Sequence, residues 1–183
     1  MIGNFIADSV KGSDFKKYPE GIAKGILMHR AIDHFTDNHP VFLKSVARLR
    51  PKYRKYAGVI ADIFYDHFLA KNWNDHSEVS LPDFTVRVHE LLARNHEHLP
   101  ERSKHFFQYM LINKIPLPYA EVKGIEKVLY GMSRRAKFES GMENAGEELV
   151  EYEKEFESEF NEFFPEMKKH INARTNYGNY SSS

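Results

Sequence analysis

The chain has 183 residues, with 26 Lys+Arg against 26 Asp+Glu, 42% hydrophobic and 14% aromatic residues, and no cysteine. This is the size and composition of one folded domain, and it excludes a disulfide scaffold, a cysteine nucleophile and a thiolate metal site. Any metal must be held by His, Asp, Glu or Asn. No apolar run approaches the roughly 20 residues that span a bilayer and no basic, apolar leader opens the chain, so a cytoplasmic protein without a membrane anchor is expected.

Between its breakers nearly every segment has helical period, and none alternates apolar and polar residues long enough for a strand, which predicts an all-α, single-domain multi-helix bundle. A first helix fits residues 4–11, stopped by Gly12. Pro19 opens a second through Ile22, Ile26, Ile32 and Phe35, closed by Pro40. A third, over residues 41–49, is expected to stop at Pro51. A fourth runs from about Tyr53 through Ile60, Phe64 and Phe68 to Trp73, followed by a polar loop. Phe84, Val88 and Leu92 mark a fifth, and Pro100 opens a sixth with Phe106, Phe107 and Met110 that ends before Pro116. Helical spacing resumes through Val122, Ile125 and Leu129. The last helix, over residues 144–171, presents Leu149, Tyr152, Phe156, Phe160, Phe163 and Phe164 as a core stripe opposite an acidic face, with Pro165 expected to kink or interrupt it. Residues 173–183 are polar and read as a disordered tail, so the domain is taken as residues 1–172.

The chemistry concentrates in three segments. His29, Asp33 and Asp37 recur every four residues and so share one helix face. Asp62 and Asp66 are again four apart, among Ile60, Ile63, Phe64 and Phe68, a setting that predicts burial. Asp8 lies in a similar apolar run. Buried carboxylates need partners. Arg30 can supply a bidentate salt bridge and Asn4 or Tyr65 hydrogen bonds, which would make a structural polar network. The other reading is a metal centre of Asp8, His29, Asp33, Asp37, Asp62 and Asp66, whose oxygen-rich set with imidazole suits Mn²⁺, Mg²⁺ or Fe²⁺. Such an ion acidifies water and offsets charge on phosphoryl oxygens, so phosphoester hydrolysis is the natural chemistry. His34, His39 and His67 adjoin this cluster in the chain, whereas His89, His96, His98 and His105 are expected at the surface. No G-x-S-x-G elbow, glycine-rich phosphate loop or Glu-x-x-His pair is present.

Five ordered blocks resemble the acyl carrier protein phosphodiesterase family: Gly3-Asn4-Phe5-Ile6-Ala7-Asp8 with Val10-Lys11-Gly12; His29-Arg30-Ala31-Ile32-Asp33 with Phe35-Thr36-Asp37 and His39-Pro40; Tyr56-Ala57-Gly58-Val59-Ile60 with Asp62; Tyr65-Asp66-His67-Phe68-Leu69-Ala70; and Met132-Ser133-Arg134-Arg135. The resemblance implies hydrolysis of the phosphodiester that joins 4′-phosphopantetheine to a serine of holo acyl carrier protein, with manganese as the favoured metal. It implies metal or catalytic roles for Asp8, His29, Asp33, Asp37, Asp62, Asp66 and His67, and phosphate-binding or orienting roles for Arg30 and Asn4. The family looks like a divergent, HD-like branch of metal phosphohydrolases, although this chain has no His-Asp dipeptide. Related chains carry a further segment ahead of the first block, with a histidine in an Asn-x-Leu-Ala-His string. Either this start is misplaced or the segment is absent; if its histidine is a ligand, the chain as written is expected to bind metal poorly and be inactive, and the missing helix to leave apolar surface open along Phe5 or the C-terminal stripe.

Zero net charge conceals an asymmetry. Residues 1–60 hold eleven Lys/Arg against five Asp/Glu, and the remainder fifteen against twenty-one. Lys44, Arg48, Arg50, Lys52, Arg54 and Lys55 form a window without an acid, suited to docking a strongly acidic acyl carrier protein. Arg134 and Arg135 form a second candidate patch. The same window is equally well explained as a partner for the chain's own acidic last helix. Neutrality and the lack of a known motif argue against nucleic acid. Two other functions remain open: an inert helical module that binds the carrier, and a hydrolase of small nucleotide phosphodiesters.

Overall fold

The helical period is realised in most of the described residues. The computed structural model describes the backbone of residues 1–179 and side-chain surroundings through residue 174, and within these every regular element is helical. The helices are α1 (Ile2–Ile6), α2 (Glu20–Asn38), α3 (Pro40–Tyr53), α4 (Ala57–Lys71), α5 (Leu81–Arg94), α6 (Glu101–Asn113), α7 (Val122–Ser133), α8 (Gly146–Glu151) and α9 (Glu153–Asn179), joined by short 3-10 turns. No helix among the described residues is long and apolar enough to cross a membrane.

Proline acts differently at different sites. Before Pro40, His39 takes an extended backbone (φ −77°, ψ 124°) that ends α2, and Pro40 then opens α3. The expected stop at Pro51 is not made, and α3 continues through it to Tyr53. Ala47, whose carbonyl loses its helical partner there, is exposed, so water can take that bond. The same holds at Pro165, where Asn161 is exposed and α9 runs on unbroken. The interruption falls instead at Tyr152 (φ −112°, ψ 28°), between α8 and α9. The first helix is also shorter than expected, giving way after Ile6 to a 3-10 turn, Ala7–Ser9, and an extended Val10. Residues 173–179 carry helical backbone rather than a tail, and residues 180–183 lie outside the described residues.

The core forms where α4 meets α9. Ile60, Ala61, Phe64 and Phe68 on α4 are fully buried, as is Phe156 on α9. Phe64 meets Phe156 edge-on at 5.1 Å, and Tyr65 packs against Phe160 and Phe163 at 5.7 and 5.3 Å. Burying each such ring stabilises the fold by about 1.5–3 kcal/mol. The stripe is therefore largely covered, whereas Phe5, stacked on Phe106 at 5.9 Å, is only partly buried and Phe106 itself is exposed, so some of the apolar surface anticipated along Phe5 is open.

One acid interrupts the α9 stripe. Glu159, 3% exposed, accepts both guanidinium nitrogens of Arg48 at 2.7 Å and the Ser45 hydroxyl at 2.5 Å, and Lys44 approaches at 3.3 Å. Burial pushes its carboxyl up, but Arg48 and Ser45 outweigh that and hold it below the usual range. Its replacement by alanine leaves Arg48 largely buried without a counter-charge. Glu159→Ala is expected to cost about 3 kcal/mol, read as a lower urea midpoint by circular dichroism. Because the folded carboxyl is depressed, its contribution is present above the ordinary value of 4.5 and is lost as pH falls through the folded one. Glu159→Gln should remove that part of the acid sensitivity.

Candidate functional site

The site begins with a close backbone crossing. Gly3 of α1 lies against α2 so tightly that a Cβ there would stand 2.0 Å from the Ile22 carbonyl oxygen and 2.8 Å from the Cα of Gly25. Only hydrogen fits at this crossing. The crossing sets Asn4 and Asp8 opposite His29, one turn beyond Gly25 on α2.

His29 joins the two segments. Its Nδ1–H donates to the Asn4 side-chain oxygen at 3.1 Å, while Nε2 faces Asp8 Oδ1 and Asp33 Oδ2, each at 3.2 Å. Asp8, His29 and Asp33 can each offer a ligand atom within 4.8 Å of the others. With Nδ1 committed to Asn4, the Nε2 lone pair points between two carboxylates, an arrangement that requires a proton or a cation at its centre. Without a metal a proton serves. The hydrogen bond to Asp8, aided by the charge of Asp33, raises the imidazole above 6.5, and the same bond lowers the Asp8 carboxyl.

The acids are not buried as their sequence context predicts. The side chains of Asp8 and Asp33 are 79% and 50% exposed, and Asp62 and Asp66 also reach solvent. On α4 the residues at 57, 60, 61, 64, 65 and 68 share one buried face, which His67 and Ala70 extend, and Asp62 and Asp66 lie on the open side of the helix. Water reaches them, but flanking protein withholds full hydration. That partial desolvation, helped by Asp66, Asp37 and Asp33, pushes Asp62 up to about 7. Asp66 is pushed up to about 6 by desolvation. Asp37, Asp62 and Asp66 thus form a row adjoining the His29 cluster rather than part of its tight group.

Two expected participants face elsewhere. Arg30 donates to the carbonyls of Gly12 and Val10 at 2.7 and 2.8 Å and lies over the Phe15 ring, so it clamps the loop after Asp8 instead of awaiting phosphate. His67, one residue beyond Asp66, turns into the core, 2% exposed, and donates from Nδ1 to the Tyr119 carbonyl at 2.8 Å; burial lowers it. His34 and His39 also turn away, lining a cleft against α9 where His39 Nε2 meets Glu166 at 3.1 Å. His89, expected at the surface, is half-buried and donates to the Ile115 carbonyl at 2.8 Å.

The basic window divides. Arg48 and Lys44 are engaged by Glu159, and Lys52 by Glu148 at 2.5 Å. Arg50, Arg54 and Lys55 are not ion-paired among the described residues, and they line a cleft of about 590 Å³ floored by Phe42, Leu43 and Val46. Asp37 stands at its edge, joining the cleft to the acid row. Arg54 is held at φ 50°, a strained backbone for a residue with a side chain. Arg134 and Arg135 stand exposed past α7, with Arg135 over the Tyr109 ring at 5.9 Å.

Residues 1–167 match the sequence model of the acyl carrier protein phosphodiesterase family. A protein named acyl carrier protein phosphodiesterase from Enterobacter sp. (strain 638) is 32% identical over 168 residues, 91% of this chain and 87% of the relative. Its namesake from Yersinia pestis is 32% identical over 136 residues, 74% of this chain and 70% of the relative. That from Photorhabdus laumondii is 29% identical over 168 residues, 91% and 85% of the two chains. No solved structure matches the chain.

The raised imidazole can be followed by two-dimensional NMR. His29 should titrate above 6.5, so its proton contributes stability below that pH which fades as pH rises through the folded value. Asp8→Asn should bring the midpoint down; an unmoved midpoint contradicts the contact. Gly3→Ala should lower it as well, because the added methyl drives α1 off α2, at a cost of about 1–3 kcal/mol in stability.

Proposed function

Since the chain belongs to the acyl carrier protein phosphodiesterase family, we propose that it hydrolyses the phosphodiester joining 4′-phosphopantetheine to the serine of holo acyl carrier protein, with the help of a divalent ion. The observation that carries this reading is His29 Nε2 held between the carboxylates of Asp8 and Asp33.

The donor set fits such an ion. One imidazole nitrogen and carboxylate oxygens, with no thiolate in the chain, suit Mn²⁺, with Mg²⁺ or Fe²⁺ as lesser candidates. Asp8, His29 and Asp33 would hold it, and Asn4 would keep Nε2 aimed inward through its bond to Nδ1. Bound there, the ion would polarise a phosphoryl oxygen and make water acidic enough to serve as nucleophile at neutral pH. Asp37, Asp62 and Asp66 add the negative field that draws a cation to this side of the fold. In the reaction, water oxygen bonds to phosphorus, the bond from phosphorus to the serine oxygen breaks, and that oxygen takes a proton, leaving apo carrier and phosphopantetheine.

Arg50, Arg54 and Lys55 supply the docking cations. A strongly acidic carrier would meet charges that the protein has not already neutralised, and the cleft they line opens at Asp37 toward the acid row. Charge of this kind raises the encounter rate and orients the partner, and salt weakens it.

Incubating the protein with Mn²⁺ and holo carrier should reduce the carrier's mass by the phosphopantetheine group; an unchanged mass overturns the activity. Calorimetry should show Mn²⁺ binding that tightens with rising pH, because Asp62, near 7, and Asp66, near 6, must lose protons before they can favour a cation. Asn4→Ala should weaken Mn²⁺ about 10- to 100-fold. Arg50→Glu with Arg54→Glu should raise KM for the carrier with little change in kcat, whereas Arg48→Ala should act mainly on stability.

A further inference from the structure

Arg30 is committed to two carbonyls, so the site as described has no guanidinium for the substrate's phosphoryl oxygens. One stands near Asp8, on α6. The Ser9 and Ser103 hydroxyls are hydrogen-bonded at 2.9 Å, and the Phe5 and Phe106 rings stack at 5.9 Å with 18° between their planes. These two contacts fix α6 against the first turns of the chain. Arg102, one residue before Ser103, is thereby brought alongside Asp8, one residue before Ser9.

Arg102 is exposed and forms no ion pair among the described residues, whereas its neighbour Lys104 is paired with Glu101 at 2.7 Å. Its charge is felt at Asp8, whose carboxyl is lowered first by His29 and to a lesser degree by Arg102. Asp8 Oδ1 is already engaged by His29 at 3.2 Å. The guanidinium fork therefore remains open beside a cluster that would hold a cation, where an anion bridging the two would be bound from both sides.

The same face of α6 continues as an aromatic wall. Phe106, one turn beyond Arg102, is 46% exposed although it stacks on Phe5, and Tyr109 stacks on it at 6.3 Å. A half-exposed ring held rigidly beside a charged site offers apolar surface without the entropy cost of ordering a loop.

We propose that Arg102 binds a non-bridging oxygen of the substrate phosphate and that Phe106 seats the organic arm that stays on that phosphate after hydrolysis. This assignment rests on the phosphodiesterase reading, and binding experiments separate the two. With the full chain loaded with Mn²⁺, calorimetry against inorganic phosphate should show affinity falling about tenfold or more in Arg102→Ala and by less in Arg102→Lys, which keeps the charge but not the fork. Mn²⁺ affinity should stay within about twofold, as expected for an unpaired surface residue. Phe106→Ala should weaken free phosphopantetheine while leaving inorganic phosphate unchanged. Phosphate affinity that is unchanged in Arg102→Ala, or that falls only in step with Mn²⁺ affinity, overturns the role of Arg102. Equal effects of Phe106→Ala on both probes, or none on either, overturn the seat. If wild type cleaves the carrier and Arg102→Ala cleaves it equally well, this assignment alone fails. If wild type holds neither Mn²⁺ nor phosphate, the proposed function fails with it.

Discussion

The contact on which the site depends is the passage of Gly3 across α2 at Gly25. Carbon in place of hydrogen would meet a backbone carbonyl at 2.0 Å, and backbone on both sides leaves no side chain to move aside. Because the two helices meet this closely, short side chains can span between them: Asn4 reaches one nitrogen of His29 and Asp8 the other. Arg30 then secures the outgoing chain by its bonds to Val10 and Gly12, so Asp8 is held from before and after. A more widely spaced crossing would need longer, more mobile side chains to build the same cluster.

The charge asymmetry has a structural part and an open part. Glu159 and Glu148 take Arg48, Lys44 and Lys52, which ties α3 to the C-terminal helices through a mostly buried carboxylate and its partners. Among the described residues, Arg50, Arg54 and Lys55 beside the cleft and Arg102 beside Asp8 are among the cations that form no ion pair. Formal neutrality thus coexists with an acid cluster that has unpaired cations on two sides. Such a surface lets an anionic ligand approach the cluster with less repulsion from its carboxylates.

Much of the fold was legible in the chain, because helical period is a local property. The aromatic stripe on α9, the buried face of α4 and the opening of α3 at Pro40 all follow from spacing and from what proline permits. The misread positions share a cause. The sequence predicts a stop at Pro51 and a kink or interruption at Pro165, yet both helices continue, and each proline leaves its orphaned carbonyl on a residue that water reaches; exposure is settled by what packs nearby. Asp62 and Asp66 were read as buried from their apolar neighbours, but those neighbours belong to other faces of the same helix. A signal for Glu159 was present: Phe156, Glu159, Phe160 and Phe163 keep apolar-face spacing with an acid among them, which marks a buried carboxylate in need of a cation.

By itself the sequence determined an all-helical chain, the absence of any thiolate ligand, and His29, Asp33 and Asp37 on one helix face. These depend on residue type and on separations of three and four positions, which a helix converts directly into geometry. Only the tertiary structure decided which acids meet His29, that Arg30 serves a loop and His67 the core, which basic residues remain unpaired, and that Arg102 comes beside Asp8. Each of these depends on how segments distant in the chain pack together, and a side chain's partner across such a contact leaves no periodic trace in the sequence.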